Sequence, residues 1–336
     1  MKKILVTGGL GYIGSHTVVE LITNGYEVII IDNLSNTEET VLNRIEKITK
    51  VKPVFYDCDL KNRVLLSKIF EEHAIDGVIH FAAYKSVEES KQNPLDYYEN
   101  NLCSLINLLQ EMKHNMISNL VFSSSCTVYG QADSMPIDES TPLKTSESCY
   151  GKTKQMGEEM IKDFVSSHSK KATLLRYFNP IGAHPSSLLG EISQGIPNNL
   201  IPYVVQTAIG IRAYLNIWGN DYQTKDGTAI RDYIYIVDLA KAHIAALKKL
   251  FFSEEDEVLD IYNLGTGKGT SVLEIVQCFE KVNNIKVPYK MGKRRKGDIM
   301  IAYADANKAY RELNWMSLTP IEESLRTAWN WQKTLL

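Results

Sequence analysis

A glycine-rich turn between a short apolar segment and a helical pattern is the feature that most constrains this 336-residue chain. Residues 3–7 predict a buried strand, and glycines follow at Gly8, Gly11 and Gly14 before the helix begins. Glycine lets the backbone turn sharply and approach a phosphate closely, while the free N–H groups at the start of the helix attract that phosphate. The spacing G-x-x-G-x-x-G therefore predicts a dinucleotide-binding turn.

A second apolar run at residues 27–32 ends in Asp32, about 20 residues after the glycine turn. A carboxylate at this place accepts hydrogen bonds from the adenosine ribose hydroxyls. It would also repel a 2′-phosphate, so the pattern favours NAD as the cofactor. Strand, turn, helix, strand and acid in this order are difficult to explain by structure alone.

Strands and helices alternate through the first half of the chain, which predicts a Rossmann-type, doubly wound parallel sheet in an α/β fold. Further strands are predicted at 53–56, 77–81, 119–122 and 172–176, and one long helix over 95–112. From residue 179 to residue 202 the chain reads as a long structured loop, and shorter, mixed elements follow it. We expect a nucleotide-binding domain at 1–180, to which a segment near 235–260 returns, and a smaller mixed α/β substrate-binding domain at 181–336.

Composition excludes several classes of partner. The net charge of −3 does not favour nucleic acid or an anionic membrane, and the basic run at 293–296 is short. The five cysteines are odd in number and widely spaced, and they include no C-x-x-C motif. This pattern suits a reduced compartment without a disulfide framework, and we expect the cytoplasm. The histidines show no metal-ligand spacing, so we expect no metal. With the first strand at residues 3–7, we expect no signal peptide.

Tyr150 and Lys154 stand four residues apart, so a helix places them on one face. A free phenol has a pKa of about 10 and is a poor base at neutral pH. A nearby ammonium group and a cationic nicotinamide would lower that pKa. Ser125 follows the strand predicted at 119–122, where an α/β sheet binds its ligands. We therefore expect Tyr150, Lys154 and Ser125 to be catalytic, with Ser125 relaying a substrate proton to Tyr150.

The glycine turn, Asp32, Ser125, Tyr150 and Lys154 together make the chain resemble the extended short-chain dehydrogenase/reductase family. Within that family it is similar, essentially end to end, to the nucleotide-sugar 4-epimerases. The segments that carry this likeness are 123–130 (SSSCTVYG), 176–180 (RYFNP), 195–200 (GIPNNL), 219–222 (GNDY), 231–234 (RDYI) and 312–315 (ELNW).

The resemblance implies reversible inversion at C4 of UDP-glucose and UDP-galactose with a tightly bound NAD. Tyr150 would remove the O4 proton while the cofactor takes the C4 hydride. A 4-keto sugar would then turn in the site and receive the hydride on its other face. The resemblance also implies a homodimer that packs through helices near 95–112 and 150–166.

The resemblance assigns a set of residues to each ligand. Those assigned to the cofactor, with the glycine turn, are Gly8, Gly11, Tyr12, Ile13, Gly14, Asp32, Asn33, Leu34, Ser35, Asn36, Thr37, Asp59, Leu60, Phe81, Ala82, Ala83, Tyr84, Lys85, Asn100, Ser125, Tyr150, Lys154 and Phe178. Those assigned to the UDP-sugar are Lys85, Ser125, Thr127, Tyr150, Asn179, Asn199, Leu200, Asn216, Ile217, Trp218, Arg231, Arg295, Asp298 and Ala302.

Ala302 departs from family members that are restricted to unacetylated sugars, because those members carry a bulky tyrosine at the aligned position. A small side chain there leaves room for an N-acetyl group at C2 of the hexose. We therefore expect UDP-N-acetylglucosamine and UDP-N-acetylgalactosamine as further substrates.

Three other functions are compatible with this fold. A nucleotide-sugar 4,6-dehydratase usually carries Asp-Glu after the strand-five serine or threonine, whereas this chain has Cys126 and Thr127. A 4-epimerase of UDP-glucuronate or a UDP-pentose stays open, because the pocket around C6 cannot be deduced from sequence. A non-catalytic NAD sensor would not need Ser125, Tyr150 and Lys154 together.

Overall fold

The computed structural model describes residues 1–193, 195–295 and 297–336, and its strands are short. In chain order they are β1 (Lys3–Thr7), β2 (Glu27–Asp32), β3 (Val54–Asp57), β4 (Gly77–His80), β5 (Asn119–Ser125), β6 (Lys171–Tyr177), β7 (Asn179–Ile181), β8 (Leu215–Trp218), β9 (Ile230–Arg231), β10 (Tyr233–Tyr235), β11 (Val258–Leu264), β12 (Thr270–Ser271), β13 (Tyr289–Gly292) and β14 (Ile301–Ala302).

Helices fill most of the connections between these strands. They are α1 (Tyr12–Thr23), α2 (Thr40–Thr49), α3 (Arg63–Glu72), α4 (Val87–Gln92), α5 (Pro94–Tyr98), α6 (Ser104–His114), α7 (Cys149–His168), α8 (Leu200–Ala208), α9 (Ile236–Phe252), α10 (Val272–Asn283), α11 (Asn307–Leu313) and α12 (Ile321–Lys333). A π-helical turn at Glu99–Cys103 joins α5 to α6, and a 3-10 turn at Cys126–Tyr129 follows β5. Within the described ranges, no helix is long and apolar enough to cross a membrane.

The large sheet has seven strands among the described residues, in the order β11-β6-β5-β4-β1-β2-β3. All neighbouring strands in it run parallel. The strand order reverses on either side of β1, so the crevice beyond the carboxyl ends of β1 and β4 is the expected ligand site. The prediction of a Rossmann-type parallel sheet is confirmed.

The apolar runs of the strands follow from burial on both faces of the sheet. Ile4 and Val6 join one core with α1, α2 and α9. Leu5 points to the other face and joins a second core with α3, α6 and α7. Because side chains alternate along a strand, both sets must be apolar. This two-sided packing holds the carboxyl ends of the strands in a fixed array.

The chain returns to the large sheet after β10. Helix α9 packs against α1, and β11 pairs with β6 in parallel from Val258 to Leu264. The sequence analysis predicted no strand at β11, because Asp260 and Asn263 interrupt its apolar pattern. The domain limits at 180 and 181 stay a prediction.

The single helix predicted over 95–112 is confirmed as one continuous helical segment of α5 and α6, with the π-helical turn at Glu99–Cys103 inside it, which the sequence pattern did not predict. The turn buries Asn101, whose side chain accepts from Tyr84 N at 2.8 Å and donates to Thr153 Oγ1 at 3.0 Å. Asn101 thereby ties the segment after β4 to α7. Such π turns are common next to functional sites.

Candidate active site

The glycine turn is built for close approach of the backbone. Gly8 has a φ of +67°, and a Cβ atom there would lie 2.8 Å from Ala82 N. A Cβ atom on Gly14 would lie 2.2 Å from Gly8 O. Gly11 begins α1 without a side-chain cap, which leaves the first N–H groups of the helix available to an anion. The turn therefore fits a dinucleotide phosphate.

Asp32 is buried at the end of β2 and organises the loop that follows it. Its carboxylate accepts from Leu10 N at 3.1 Å, Leu34 N at 3.1 Å and Thr37 Oγ1 at 2.9 Å. Burial raises the pKa of Asp32, and these hydrogen bonds act against that rise. Asn33 Nδ2 donates to Asp59 Oδ2 at 3.3 Å. The structure thus brings the predicted 32–37 loop and Asp59 together at one edge of the sheet.

The remaining residues assigned to the cofactor also lie near the carboxyl ends of the central strands. Phe81 N donates to Thr7 O at 3.0 Å, which places Phe81 and Ala82 beside the glycine turn. Tyr12 donates its hydroxyl to Gly182 O at 2.6 Å. The side chain of Leu60 is buried in the core, so a ligand contact there must come from its backbone.

Ser125, Tyr150 and Lys154 converge where β5 ends and α7 begins. Ser125 is buried and accepts from Thr127 N at 3.2 Å and from Thr127 Oγ1 at 3.0 Å. Lys154 donates from Nζ to Ser123 O at 2.6 Å, and this nitrogen lies 6.0 Å from the centroid of the Tyr150 ring. The three predicted catalytic residues therefore form one group.

Burial is the main influence on the pKa values of Tyr150 and Lys154 in the protein alone. Burial raises the pKa of Tyr150 to about 12, and its hydrogen bond with Ser125 acts in the opposite direction. Burial also lowers the pKa of Lys154 to about 7, although Glu158 opposes this. The expectation was that Lys154 and a cationic nicotinamide together lower the pKa of Tyr150; in the protein alone, desolvation dominates. Tyr150 thus holds its proton unless a further positive charge lies close by.

We expect Lys154→Met to stabilise NAD-free protein by about 2 kcal/mol near pH 7. Each unit by which the pKa of Lys154 is lowered costs the wild type about 1.4 kcal/mol of folding free energy, and the variant avoids this cost. The variant also loses the charged hydrogen bond of Lys154, which offsets roughly 1.5–3 kcal/mol of the gain. The unfolded lysine keeps its proton up to its ordinary pKa of 10.5, whereas the folded one releases it near 7. The gain should therefore be largest below pH 7 and shrink towards pH 10.5. Denaturant unfolding across this range tests it, and a gain that grows with pH would contradict the account.

A buried ion pair under α7 was missed by the sequence analysis. Glu158 accepts from Arg176 Nε at 2.9 Å and also from Arg176 Nη2, and it accepts from Ser124 Oγ at 2.5 Å. Arg176 in turn donates to the Tyr129 hydroxyl at 3.0 Å. The signal was present, because Glu158 lies four residues after Lys154 on the same helical face. The pair fixes α7, and with it Lys154, against β5 and β6.

Glu191 is a second residue that the sequence analysis did not single out. It accepts from Lys85 Nζ at 3.3 Å and from Asn199 Nδ2 at 2.6 Å. These two predicted ligand residues come from distant parts of the chain and meet on one carboxylate. A long loop gives no periodic pattern from which this contact could be predicted.

Several residues assigned to the sugar nucleotide lie on the smaller sheets, namely Asn179 on β7, residues 216–218 on β8, Arg231 on β9 and Ala302 on β14. Arg231 donates from Nη1 to Ile230 O at 2.8 Å, and Arg295 Nε donates to Asp298 Oδ2 at 2.8 Å. Ala302 is opposite Arg231 in the β14–β9 ladder and is 8% exposed. Arg231 and Arg295 are fork donors of the kind that bind phosphate.

The other predicted sugar-nucleotide residues are placed less uniformly. Asn179 N donates to Asp232 O at 2.9 Å, and Phe178, which was assigned to the cofactor, packs in the same small core as Ala302. Asn216 and Trp218 are the outward-facing residues of β8, whereas Ile217 is buried in the core. Leu200 packs on that core at the start of α8. For Ile217, only the backbone can face a ligand.

No group of three or more His, Cys, Asp or Glu side chains that could hold a metal ion occurs in residues 1–193, 195–295 and 297–336. The parallel sheet, the glycine turn and the Ser-Tyr-Lys group define a Rossmann enzyme of the extended short-chain dehydrogenase/reductase class. A sequence model of the family described as GDP-mannose 4,6 dehydratase matches residues 5–328.

Individual relatives point to one branch of that family. The chain is 50% identical over 331 residues to the UDP-glucose 4-epimerase of Haemophilus influenzae, with 98% of this chain and 97% of the relative covered. A UDP-glucose 4-epimerase structure from Stenotrophomonas maltophila, described with bound NAD and formylated UDP-arabinopyranose, matches with a TM-score of 0.96. It is 43% identical and covers 100% of this chain and 99% of its own.

The Bifidobacterium longum UDP-glucose 4-epimerase, described in complex with NAD⁺ and UDP, is also similar. It matches with a TM-score of 0.95 and 44% identity, and covers 99% of this chain and 98% of its own. The chain belongs to the UDP-glucose 4-epimerase branch of the matched family.

Proposed function

We propose that this protein interconverts UDP-glucose and UDP-galactose by inverting C4, with a tightly held NAD. The observation that carries the proposal is the convergence of Ser125, Tyr150 and Lys154 at the carboxyl end of β5, in the same parallel sheet whose strand β1 leads into the glycine turn. The end-to-end likeness to UDP-glucose 4-epimerases supports the same activity.

Tyr150 acts on the proton of the sugar O4. The Ser125 hydroxyl is hydrogen-bonded to it and can bridge the sugar oxygen to the phenol, and Lys154 would hold the nicotinamide ribose. NAD⁺, when bound, supplies a positive ring that favours the phenolate and accepts the C4 hydrogen with its electron pair. The residues that would hold it are the glycine turn, Asp32 and the segment from Phe81 to Lys85. Because proton and electron pair are later returned, Tyr150 serves as base and then as acid.

The nucleotide end of the substrate must stay fixed while the keto sugar turns. Arg231 and Arg295 would hold the diphosphate, and Asp298 would accept from the ribose hydroxyls. Binding energy at this end can thus position a sugar that is itself held loosely. Asn179 is a neutral group near the sugar and fixes no charge there.

The direct test is conversion of UDP-galactose by purified protein without added NAD, with UDP-glucose followed by a coupled reduction. We expect turnover without added cofactor, because the proposal has NAD held tightly through the whole cycle. Absence of turnover even with added NAD would contradict the proposal and favour the NAD sensor.

Ala302 leads us to propose that UDP-N-acetylhexoses are also substrates. Ala302→Tyr is expected to lower kcat/KM for UDP-N-acetylgalactosamine by about 100-fold, because a bulky ring overfills the pocket. Turnover of UDP-galactose should be largely kept. Chromatographic detection of both epimers measures the effect, and Ala302→Ser is the matched control. Wild-type turnover of UDP-galactose alone would show that another wall limits the pocket.

The rival functions receive less support from the site. Cys126 and Thr127 lie on the 3-10 turn after Ser125, where a dehydratase would need an acid and a base. A 4-epimerase of UDP-glucuronate or a UDP-pentose would use the same catalytic group, and comparison of these substrates with UDP-galactose decides between them. A sensor would not need the Ser125, Tyr150 and Lys154 group.

We also propose a homodimer in the cytoplasm, with domain limits near residue 180. Apolar side chains are exposed around α5, α6 and α7, namely Leu95, Ile106, Leu143 and Met156. Pairing of this surface with its copy would cover them. Light scattering coupled to gel filtration measures the mass in solution.

The free cysteines suit a reducing compartment, which supports the proposed location in the cytoplasm.

A further inference from the structure

The loop after β8 holds Tyr222 in a position that depends on two glycines. Gly219 has a φ of +87° and Gly227 a φ of +78°. Tyr222 N donates to Gly227 O at 3.1 Å, which closes the loop. A Cβ atom on Gly219 would lie 2.4 Å from the Tyr222 ring. The Tyr222 ring therefore fits here because Gly219 has no side chain.

The ring of Tyr222 is covered on one side by Arg294. The Arg294 guanidinium carbon lies 4.0 Å from the ring centroid, and Arg294 Nε donates to Asp221 Oδ1 at 2.7 Å. The side chain is consequently buried, with 6% of Tyr222 exposed. This stacking fixes the direction of the hydroxyl.

The Tyr222 hydroxyl is buried and has no hydrogen-bond partner among the residues that the structure describes. An unpaired buried hydroxyl is costly, so it calls for a reason. The charges that act on it are those of Asp298, Arg294, Arg231 and Arg295. Three of these, Asp298, Arg231 and Arg295, are residues assigned to the sugar nucleotide.

The protonation of Tyr222 suits a donor. Burial and the Asp298 carboxylate raise its pKa, and the three guanidinium groups only partly oppose the rise. The O–H bond is thus kept at neutral pH. Arg295 already satisfies one Asp298 oxygen, and the cations around Tyr222 attract a further anion.

We infer that the Tyr222 hydroxyl donates a hydrogen bond to the nucleoside diphosphate of the substrate, at the site of Arg231 and Arg295. The inference rests on the proposed function, since it concerns the anchor of that same site. Tyr222 is a binding residue here and takes no part in the proton transfer at Tyr150. It adds a neutral donor to a diphosphate site otherwise built from cations.

The test compares UDP with uridine on NAD-loaded protein by titration calorimetry. Tyr222→Phe keeps the ring and removes only the donor. We expect its Kd for UDP to rise about tenfold, which is about 1.4 kcal/mol, and its Kd for uridine to stay unchanged. KM for UDP-galactose should rise while kcat stays near that of the wild type. Tyr289→Phe, whose side chain is 43% exposed on β13, is the matched control.

Each other outcome overturns the inference. Equal weakening of UDP and uridine would place the hydroxyl at the ribose or base, and unchanged UDP binding would make it a structural group. Thermal unfolding distinguishes a folding defect from a loss of binding, because removal of an unpaired hydroxyl should not lower the Tm of the unliganded protein. The rise in Tm on adding UDP should shrink in Tyr222→Phe alone. Wild-type protein that binds no UDP would overturn the proposed function itself.

Discussion

Tyr150→Phe is expected to lower kcat for UDP-galactose by about a thousandfold, within the roughly 10²–10⁴-fold that acid–base catalysis supplies. The phenylalanine ring fills the same space but can neither accept nor return the O4 proton. Ser125 remains, but a serine hydroxyl is a much weaker base in this buried place. Initial rates at saturating substrate measure the effect.

The control for this variant is Tyr310→Phe, which removes a phenol from an exposed side chain of α11. Binding of UDP by Tyr150→Phe should stay within a few-fold of the wild type, since the diphosphate residues are untouched. A Tyr150→Phe protein with near wild-type kcat would remove Tyr150 from the mechanism.

Arg176→Met is expected to destabilise the protein by about 3–5 kcal/mol, the usual cost of leaving a buried charge without its partner. The Glu158 side chain is 0% exposed and that of Arg176 is 3% exposed, so water cannot replace the lost bonds. Because Glu158 is fixed on α7, activity should fall together with the free energy of unfolding. Urea unfolding followed by tryptophan fluorescence measures the loss.

A double variant tests whether the unpaired charge is the cause. Glu158→Met together with Arg176→Met leaves no buried ion and should recover much of the stability lost in Arg176→Met. Recovery of stability without recovery of activity would show that the pair also positions Lys154. If the double variant is no more stable than Arg176→Met, repacking and not charge explains the loss.

The sheet and the proximity of Ser125, Tyr150 and Lys154 were predictable because their signals are local. A buried strand followed by Gly8 and Gly14 has few structural interpretations, and Tyr150 and Lys154 need only one helix to share a face. The parallel pairing of the strands followed from the alternation of elements, since parallel strands require crossover helices.

The parts that were missed depend on contacts between distant segments. β11 carries Asp260 and Asn263 in an irregular pattern, and it becomes a strand only because β6 offers a free edge. Glu191 accepts a hydrogen bond from Lys85, 106 residues earlier in the chain, as well as from Asn199 in its own loop. The high pKa of Tyr150 reflects burial, which a spacing of four residues does not reveal.

The most direct test of the account follows the hydrogen at C4. UDP-galactose deuterated at C4 is incubated with the protein in ordinary water, without added NAD, and the UDP-glucose formed is analysed by mass spectrometry. A cycle with no net oxidation predicts UDP-glucose that keeps its deuterium at C4. Product that has lost the deuterium to water would contradict removal and return of the hydrogen within one closed site.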